Sequence, residues 1–161
     1  MTELTAEVLR AKLDYNPETG VFTWRVRTGK AWPGRVAGSP DSYGHTQIRI
    51  NGRKYAAHRL AWLYITGAWP ADMVDHIDGN PANNAFRNLR EADNRLNQQN
   101  HRKAKRTNKT GLLGVSRKAN CSTARIKVGD RVLFLGCFAT DEEAHEAYLN
   151  AKRRFHPGCT I

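Results

Sequence analysis

Residues 74–80 read Val-Asp-His-Ile-Asp-Gly-Asn, a stretch dense in side chains that bind metal ions or transfer protons. A neutral imidazole such as that of His76 can act as a general base around neutral pH. A carboxylate such as Asp75, together with an asparagine carbonyl, can hold Mg²⁺, a hard ion that keeps water and substrate oxygens in its remaining positions. The asparagines that follow are Asn83, Asn84, Asn88, Asn94 and Asn97.

The spacing alone leaves two interpretations of this stretch open. One interpretation is a catalytic metal site. The other is an ordinary turn, because Asp78-Gly79-Asn80-Pro81 contains turn-forming pairs. An EF-hand calcium loop fits poorly, because the glutamate that closes such a loop is missing.

The segments on both sides of the stretch predict short strands and helices. Residues 47–55 predict a hairpin whose Asn51-Gly52 turn suits type I′ geometry, and residues 58–66 predict an apolar helix ended by Gly67. Strands are predicted at 73–76 and 89–91, with a helix starting near Asn94 and Asp93 as a possible cap. Near the N-terminus, the pattern predicts a helix over 5–13, a turn over 15–20, a strand over 21–24 and a loop over 25–44.

Composition points to a polyanionic partner. The chain has 161 residues, with 26 Lys and Arg against 15 Asp and Glu, a net charge of +11. Such a balance most often indicates nucleic acid binding. No run approaches the roughly 18 apolar residues needed to span a bilayer, and no secretory signal is visible. Three cysteines without a Cys-x-x-Cys pair argue against Cys-based structural zinc and favour a reducing, cytoplasmic location.

The densest run of positive charge is residues 101–110, His-Arg-Lys-Ala-Lys-Arg-Thr-Asn-Lys-Thr, which contains no acidic residue. Because it has no apolar side chain larger than alanine, it cannot join a core. The run is compatible with a linker or helix extension that lies along phosphates, and it is also compatible with a solvated hinge. The predicted organisation is a first domain over 1–101, a basic linker over 102–110 and a second domain over 111–161. The linker cations are Arg102, Lys103, Lys105, Arg106 and Lys109.

Residues 111–161 predict a small sheet and one helix. Strands are predicted over 115–118, 124–128 and 131–136, and Thr140 with Glu143 forms a capping box before an apolar helix face. Alternation in the middle strand places small apolar side chains on one face and cations on the other. The cations expected to face DNA are Arg117, Lys118, Arg125, Lys127 and Arg131.

A family resemblance rests on runs spread over residues 10–101. These runs are His58-Arg59-Leu60-Ala61-Trp62, residues 74–80, Asn84, Asn88-Leu89-Arg90 and Asn94-Arg95-Leu96-Asn97, preceded by the turn at 15–20. They resemble the HNH endonucleases, closest to the branch common in bacteriophage genomes and intron homing enzymes. That resemblance implies an α+β fold with a ββα-metal nuclease core over about 58–101, built of two strands, a loop and a helix around one divalent ion, with an N-terminal β-hairpin and helix added.

The resemblance also implies roles for particular residues. His76 would be the general base that activates water, and Asn88 would orient its ring by a hydrogen bond. Asp75 and Asn97 would bind one divalent ion, Mg²⁺ or Mn²⁺, with His101 as a reserve ligand. The implied products carry 5′-phosphate and 3′-hydroxyl ends. Asp78 is expected to organise the loop, and His58 to be structural or substrate-facing.

The second domain resembles another known module. Residues 114–118, 124–128, 135–140 and 142–148 resemble the DNA-binding domain of plant ethylene-response factors, the APETALA type. That resemblance implies a three-stranded antiparallel sheet packed on one helix, with the sheet entering the major groove.

The sequence therefore predicts a metal-dependent endonuclease that acts on double-stranded DNA and is targeted by a C-terminal binding module. A non-catalytic DNA-binding regulator with a decayed HNH fold is the main alternative, and an RNA-directed nuclease or an interaction protein is a third. No membrane partner is expected, and a phage-encoded protein would act in the host cytoplasm. The sequence leaves oligomeric state, target site and nicking versus double-strand cutting open.

Overall fold

The computed structural model describes residues 4–104 and 106–160, and its fold is α+β as predicted. The chain divides into two compact units, the first ending at Asp93 and the second beginning at Asn94. The division therefore falls before the basic segment at 102–110, which belongs to the second unit. Lys105 lies outside the described residues. No helix in the described part of the chain is long and apolar enough to cross a bilayer.

The first unit contains two helices and three small antiparallel sheets among its described residues. Its sheets pair β1 with β2, β3 with β4 and β5, and β6 with β7. The elements in chain order are α1 (Ala6–Lys12), β1 (Leu13–Asn16), β2 (Val21–Trp24), β3 (Ser39–Pro40), β4 (Thr46–Ile50), β5 (Arg53–Ala56), α2 (Ala57–Thr66), β6 (Met73–His76), a 3-10 turn (Phe86–Asn88) and β7 (Leu89–Ala92).

The predicted hairpin is present as β4 and β5. Its central residues Asn51 and Gly52 have φ angles of 50° and 83°, so both occupy the left-handed region that a type I′ turn requires. The loop predicted over 25–44 contains one addition, the short strand β3, which pairs with β4. This pairing brings the residues just after β3 next to the start of β4.

The core of the first unit forms where α1 and α2 pack on the hairpin sheet. Leu9, Leu13, Ile48 and Leu60 are almost completely buried there. The sequence pattern places Val8, Leu9 and Leu13 on one apolar face of a helix over 5–13, but Val8 is 39% exposed. The helix α1 ends at Lys12 and Leu13 belongs to β1, so these three residues do not form one helical face.

The strands β6 and β7 form the antiparallel pair that carries residues 75 and 76. In their register, Asp75 is opposite Arg90 and His76 is opposite Leu89. The loop and 3-10 turn that join the two strands therefore begin directly after His76, and they carry Asn84 and Asn88.

The second unit contains a sheet of three antiparallel strands in the order β10-β9-β8, packed on one helix as predicted. Thr140 and Glu143 form the predicted capping box, with each side chain bound to the other's backbone N–H. Its elements are α3 (Asn94–Gln99), β8 (Val115–Arg117), β9 (Ser122–Val128), β10 (Arg131–Phe138) and α4 (Asp141–Phe155).

Candidate active site

His76 is the last residue of β6, and only 6% of it is exposed. Its Nε2 lies 3.2 Å from the side-chain oxygen of Asn84. The Asn84 amide nitrogen donates to the carbonyl of Ala82 at 3.2 Å, so the amide oxygen is the atom that faces the ring. Because this oxygen can only accept, Nε2 carries the hydrogen and Nδ1 carries the lone pair. Asn84 therefore selects the tautomer in which Nδ1 is the basic atom.

The surroundings of His76 favour its neutral form. Burial lowers the pKa of the His76 imidazole below its ordinary value of 6.5, and the positive charge of the nearby His45 ring acts in the same direction. The hydrogen bond to Asn84 and the carboxylates of Asp78 and Asp75 oppose that shift without reversing it. A histidine that is neutral at neutral pH can accept a proton, which is what a general base requires.

The turn at 15–20 contacts the backbone of Asn84 and holds this residue in place. The Tyr15 hydroxyl donates to the backbone carbonyl of Asn84 at 2.7 Å, and burial raises the pKa of this phenol. Gly20 has a φ of +74°, and a Cβ built on it would lie 2.2 Å from the Asn84 carbonyl carbon. The Phe86 N–H donates to the Pro17 carbonyl at 2.9 Å. The turn is therefore a support for the residue that orients the His76 ring.

The side chain of Asn88, predicted to orient the His76 ring, contacts the loop that follows His76. Its side-chain oxygen accepts the Asp78 N–H at 3.0 Å, and its amide nitrogen donates to the Asp78 carboxylate and to the Asn83 carbonyl. Within residues 4–104 and 106–160, its side chain makes no hydrogen bond to the His76 ring. Both N–H donors of the amide are used within the loop, so Asn88 fixes the chain that follows His76, while the amide that contacts the ring is that of Asn84.

Asp78 organises this loop, as expected. Its carboxylate accepts the Asn80 N–H at 2.8 Å and the Asn83 and Asn88 amides at 2.7 and 2.9 Å. Although burial opposes the shift, these hydrogen bonds lower the pKa of Asp78. The carboxylate therefore stays ionised and bound within the loop.

Asp75 is buried on β6 and paired with a cation. Its carboxylate accepts from the Arg90 guanidinium at 2.9 and 3.2 Å, across the strand pair. Only 8% of Asp75 is exposed. Removing either partner would leave the other charge in a poorly solvated place, so each partner fixes the position of the other's side chain.

Two further imidazoles surround His76. The ring centroid of His58 lies 5.0 Å from that of His76, and the ring centroid of His45 lies 5.9 Å from it. The distance between His45 and His58 is 5.7 Å. His45 had no predicted partner, because it lies directly before β4, far from the motif in sequence. The only signal in the sequence was its position beside a hairpin that precedes the His58 helix.

His58 is the inner member of this group. Its Nδ1 is buried and has no hydrogen-bond partner within the described residues. Burial, together with the charges of His76 and His45, lowers the pKa of His58 from 6.5 to about 3. His58 is therefore neutral at neutral pH and packs against the His76 ring, which favours the structural role among its two expected ones.

Asn97 and His101, predicted as metal ligand and reserve ligand, belong to the second unit. Asn97 lies on α3, and His101 follows that helix. The carbonyl of His101 accepts from the ammonium of Lys152, a side chain of α4 that is almost completely buried. Burial lowers the pKa of this lysine. Both ligand assignments stay predictions.

The chemistry of the donors suits a hard divalent ion. Among the described residues, no group of three His, Cys, Asp or Glu side chains is arranged to hold a metal. The predicted pair, Asp75 and Asn97, is a different kind of donor set, because it combines one carboxylate with one asparagine amide. Both donors are oxygens, which Mg²⁺ and Mn²⁺ prefer, and such ions keep water or substrate oxygens in their other positions.

The outer face of the second unit's sheet is basic with apolar side chains between the cations. Arg125 and Lys127 are exposed on β9, as predicted, and they are opposite Phe134 and Val132 of β10. Phe134 is 59% exposed, and the Arg125 guanidinium lies 5.8 Å from its ring centroid. Exposed predicted cations elsewhere in this unit are Lys103, Arg106, Lys109, Lys118 and Arg131.

Two of the predicted DNA-facing arginines have protein partners. Arg117 forms an ion pair with Asp141 at the start of α4, and Ser122 donates to the same carboxylate. Arg102 donates to the carbonyl of Thr160 at 3.0 Å. Their charges are therefore partly used in holding the second unit together, which makes them weaker candidates for phosphate contacts than Arg125 and Lys127.

Comparison with known proteins places this geometry in context. No curated protein matches the chain. One similar solved structure is described as DNA binding and cleavage by the HNH homing endonuclease I-HmuI, at 23% identity and a TM-score of 0.42. The match covers 55% of this chain and 51% of that one, so the chain matches about half the length of that structure. Residues 55–99, which include His58, His76, Asn84 and Asn88, match the sequence model of a family described as HNH endonuclease.

Proposed function

We propose that the protein is a metal-dependent endonuclease that hydrolyses phosphodiester bonds of duplex DNA. The observation that carries the proposal is the His76 imidazole, held by Asn84 with Nδ1 as its basic atom. The match of residues 55–99 to the HNH endonuclease family supports the same chemistry.

In the proposed reaction, Nδ1 of His76 takes a proton from a water molecule that attacks phosphorus in line with the departing 3′ oxygen. Asn84 keeps the hydrogen on Nε2, so the ring does not have to exchange tautomers before it accepts this proton. Burial keeps the ring neutral beforehand by lowering its pKa. A divalent ion, when bound, would supply a Lewis acid for the charge on the phosphate and the 3′ oxygen.

Asp75 would hold that ion, since its buried carboxylate lies next to His76 in sequence and is positioned by Arg90. Asn97 remains the predicted second ligand. The basic outer face of β9 and β10 would bind the DNA backbone, with Arg125 and Lys127 as its central cations. We propose that this second unit acts as a DNA-binding module of the APETALA type.

Plasmid nicking tests this function. The wild-type protein is incubated with supercoiled plasmid and Mg²⁺ or Mn²⁺, beside a His76→Ala variant and a control without metal. Loss of a general base typically lowers the rate by about 10²–10⁴-fold, and we expect His76→Ala to show such a loss. Equal cleavage by both proteins would remove the catalytic assignment. Binding of duplex DNA without any cleavage would favour the regulator with a decayed nuclease fold, and preferential cleavage of RNA would favour the third alternative.

A further inference from the structure

His45 stands apart from the other two imidazoles in its exposure. Its side chain is 37% exposed, whereas His76 is 6% exposed and Nδ1 of His58 is buried. The ring of His45 nevertheless lies within 5.9 Å of both other rings. His45 is therefore an imidazole that a substrate could reach while His76 acts on the same phosphate.

The loop that carries His45 is held together by hydrogen bonds of Asp41. The Asp41 carboxylate accepts the N–H groups of Tyr43 and His45 at 2.8 and 3.0 Å, and the Gln47 amide at 3.2 Å. The Asp41 N–H donates to the His45 carbonyl at 2.8 Å. None of these bonds uses the imidazole of His45, so the fold of the loop does not require a histidine at this position.

The loop is also packed near the motif. A Cβ built on Gly44, which has a φ of +88°, would lie 3.2 Å from Cγ of Pro81, in the loop that follows His76. The two loops therefore approach each other closely in the first unit. This contact explains how a residue 31 positions before His76 keeps its ring in the same group.

The Asp41 carboxylate lies beside the His45 ring. It lies 3.8 Å from Nδ1 of His45, and the pKa of Asp41 is lowered because hydrogen bonds from Tyr43, His45 and Gln47 outweigh its burial. The other ring nitrogen, Nε2, can donate a hydrogen bond to an anionic oxygen of the substrate.

We propose that His45 is a further catalytic residue, whose ring nitrogen Nε2 donates a hydrogen bond to a non-bridging oxygen of the scissile phosphate. The inference rests on the proposed nuclease function. His45 transfers no proton in this role. It stabilises the negative charge that grows on the phosphate as the water prepared by His76 attacks. Asp41 is a positioning residue, because it acts only through His45.

Charge stabilisation of this kind predicts an effect on the rate constant of cleavage. Loss of one positioned donor to a developing oxyanion typically lowers kcat by about 10²–10³-fold. We expect that loss for His45→Ala, with a smaller loss for His45→Gln, which keeps a neutral donor. Affinity for duplex DNA without metal should be almost unchanged. Ser42→Ala, an exposed position in the same loop, is the matched control and should cleave as the wild type does.

Sulfur substitution distinguishes a substrate contact from a structural effect. The substrate is a duplex oligonucleotide that carries a mapped cleavage site, with sulfur in place of either non-bridging oxygen of the scissile phosphate. For one of the two diastereomers, the ratio of oxygen to sulfur rates should be large in the wild type and close to one in His45→Ala. The same ratio in both proteins for both diastereomers would overturn the proposal. If His45→Ala fails to fold, His45→Gln provides the same comparison.

The outcomes also separate this inference from the function on which it rests. If the wild type and His76→Ala cleave equally, the proposed nuclease site fails. If His76→Ala is inactive while His45→Ala cleaves at the wild-type rate, the nuclease site stands and the role of His45 is wrong.

Discussion

The side-chain oxygen of Asn84 lies 3.2 Å from Nε2 of His76, eight residues earlier in the chain, and this contact determines which ring nitrogen is basic. Asn84→Ala removes it, so the ring can adopt either tautomer and can rotate. Loss of a partner that orients a functional histidine typically costs about 10–100-fold, and we expect cleavage to slow by that amount. The measurement is the single-turnover rate on plasmid DNA.

Asn88→Ala provides the contrast to that variant. Because its amide makes all its bonds within the loop, we expect a loss of about 2 kcal/mol in the free energy of unfolding. Urea denaturation of both variants checks this assignment. A result in which Asn84→Ala is fully active would show that the amide does not control the tautomer.

Gly20→Ala should destabilise the first unit. The new Cβ would meet the Asn84 backbone at 2.2 Å, and the residue would keep a φ of +74°. Overpacking and left-handed strain together predict a cost of about 2–4 kcal/mol. Gly34→Ala is the control, since Gly34 has a φ of +81° and no atom within 4 Å of its Cβ position. Thermal unfolding measures both, and equal shifts would contradict the close approach to Asn84.

His58 predicts a particular response of stability to acid. Its pKa is about 3 in the folded chain and near 6.5 in the unfolded chain, so the unfolded state binds more protons between these values. Stability therefore falls as pH decreases below 6.5, by up to about 1.4 kcal/mol per pH unit from this group. His58→Phe lacks the group, so its stability should fall less steeply. Urea denaturation over this range checks the difference, and parallel curves would contradict it.

The basic sheet face predicts a salt dependence of DNA binding. If Lys127 contacts a phosphate, Lys127→Ala should reduce the slope of log affinity against log salt by about 1. Arg153→Ala is the control. Arg153 is also an exposed cation, but it lies on the helix α4, which packs on the sheet, and is not part of the strands β9 and β10. Fluorescence anisotropy at several salt concentrations gives the slopes. Identical slopes for Lys127→Ala and the wild type would exclude this phosphate contact.

Local patterns were enough to predict most of the elements. The Asn51-Gly52 turn, the Thr140–Glu143 capping box and the alternation in β9 each depend on residues a few positions apart. Such signals are independent of packing between distant segments. The helix, strand and turn framework of the α+β fold was therefore predictable.

The arrangement around His76 was predictable only in part. Asp75 and His76 come from one strand, but the group of three imidazoles depends on how the loop before β4 and the helix α2 pack. Whether Asn84 or Asn88 contacts the His76 ring depends on which backbone carbonyl accepts a hydrogen bond from each amide. These contacts are decided by tertiary structure, and spacing along the chain contains no direct signal for them.

The compact units and the family match have different borders. The family match ends at residue 99, whereas the change from one packed unit to the other comes between Asp93 and Asn94. A recombination event that exchanged whole packed units would therefore separate α3, with Asn97, from the rest of residues 55–99. Chimeras joined at residues 93 and 94 would inherit that helix from the donor of the C-terminal half, and the proposed metal ligand at position 97 would come from that donor.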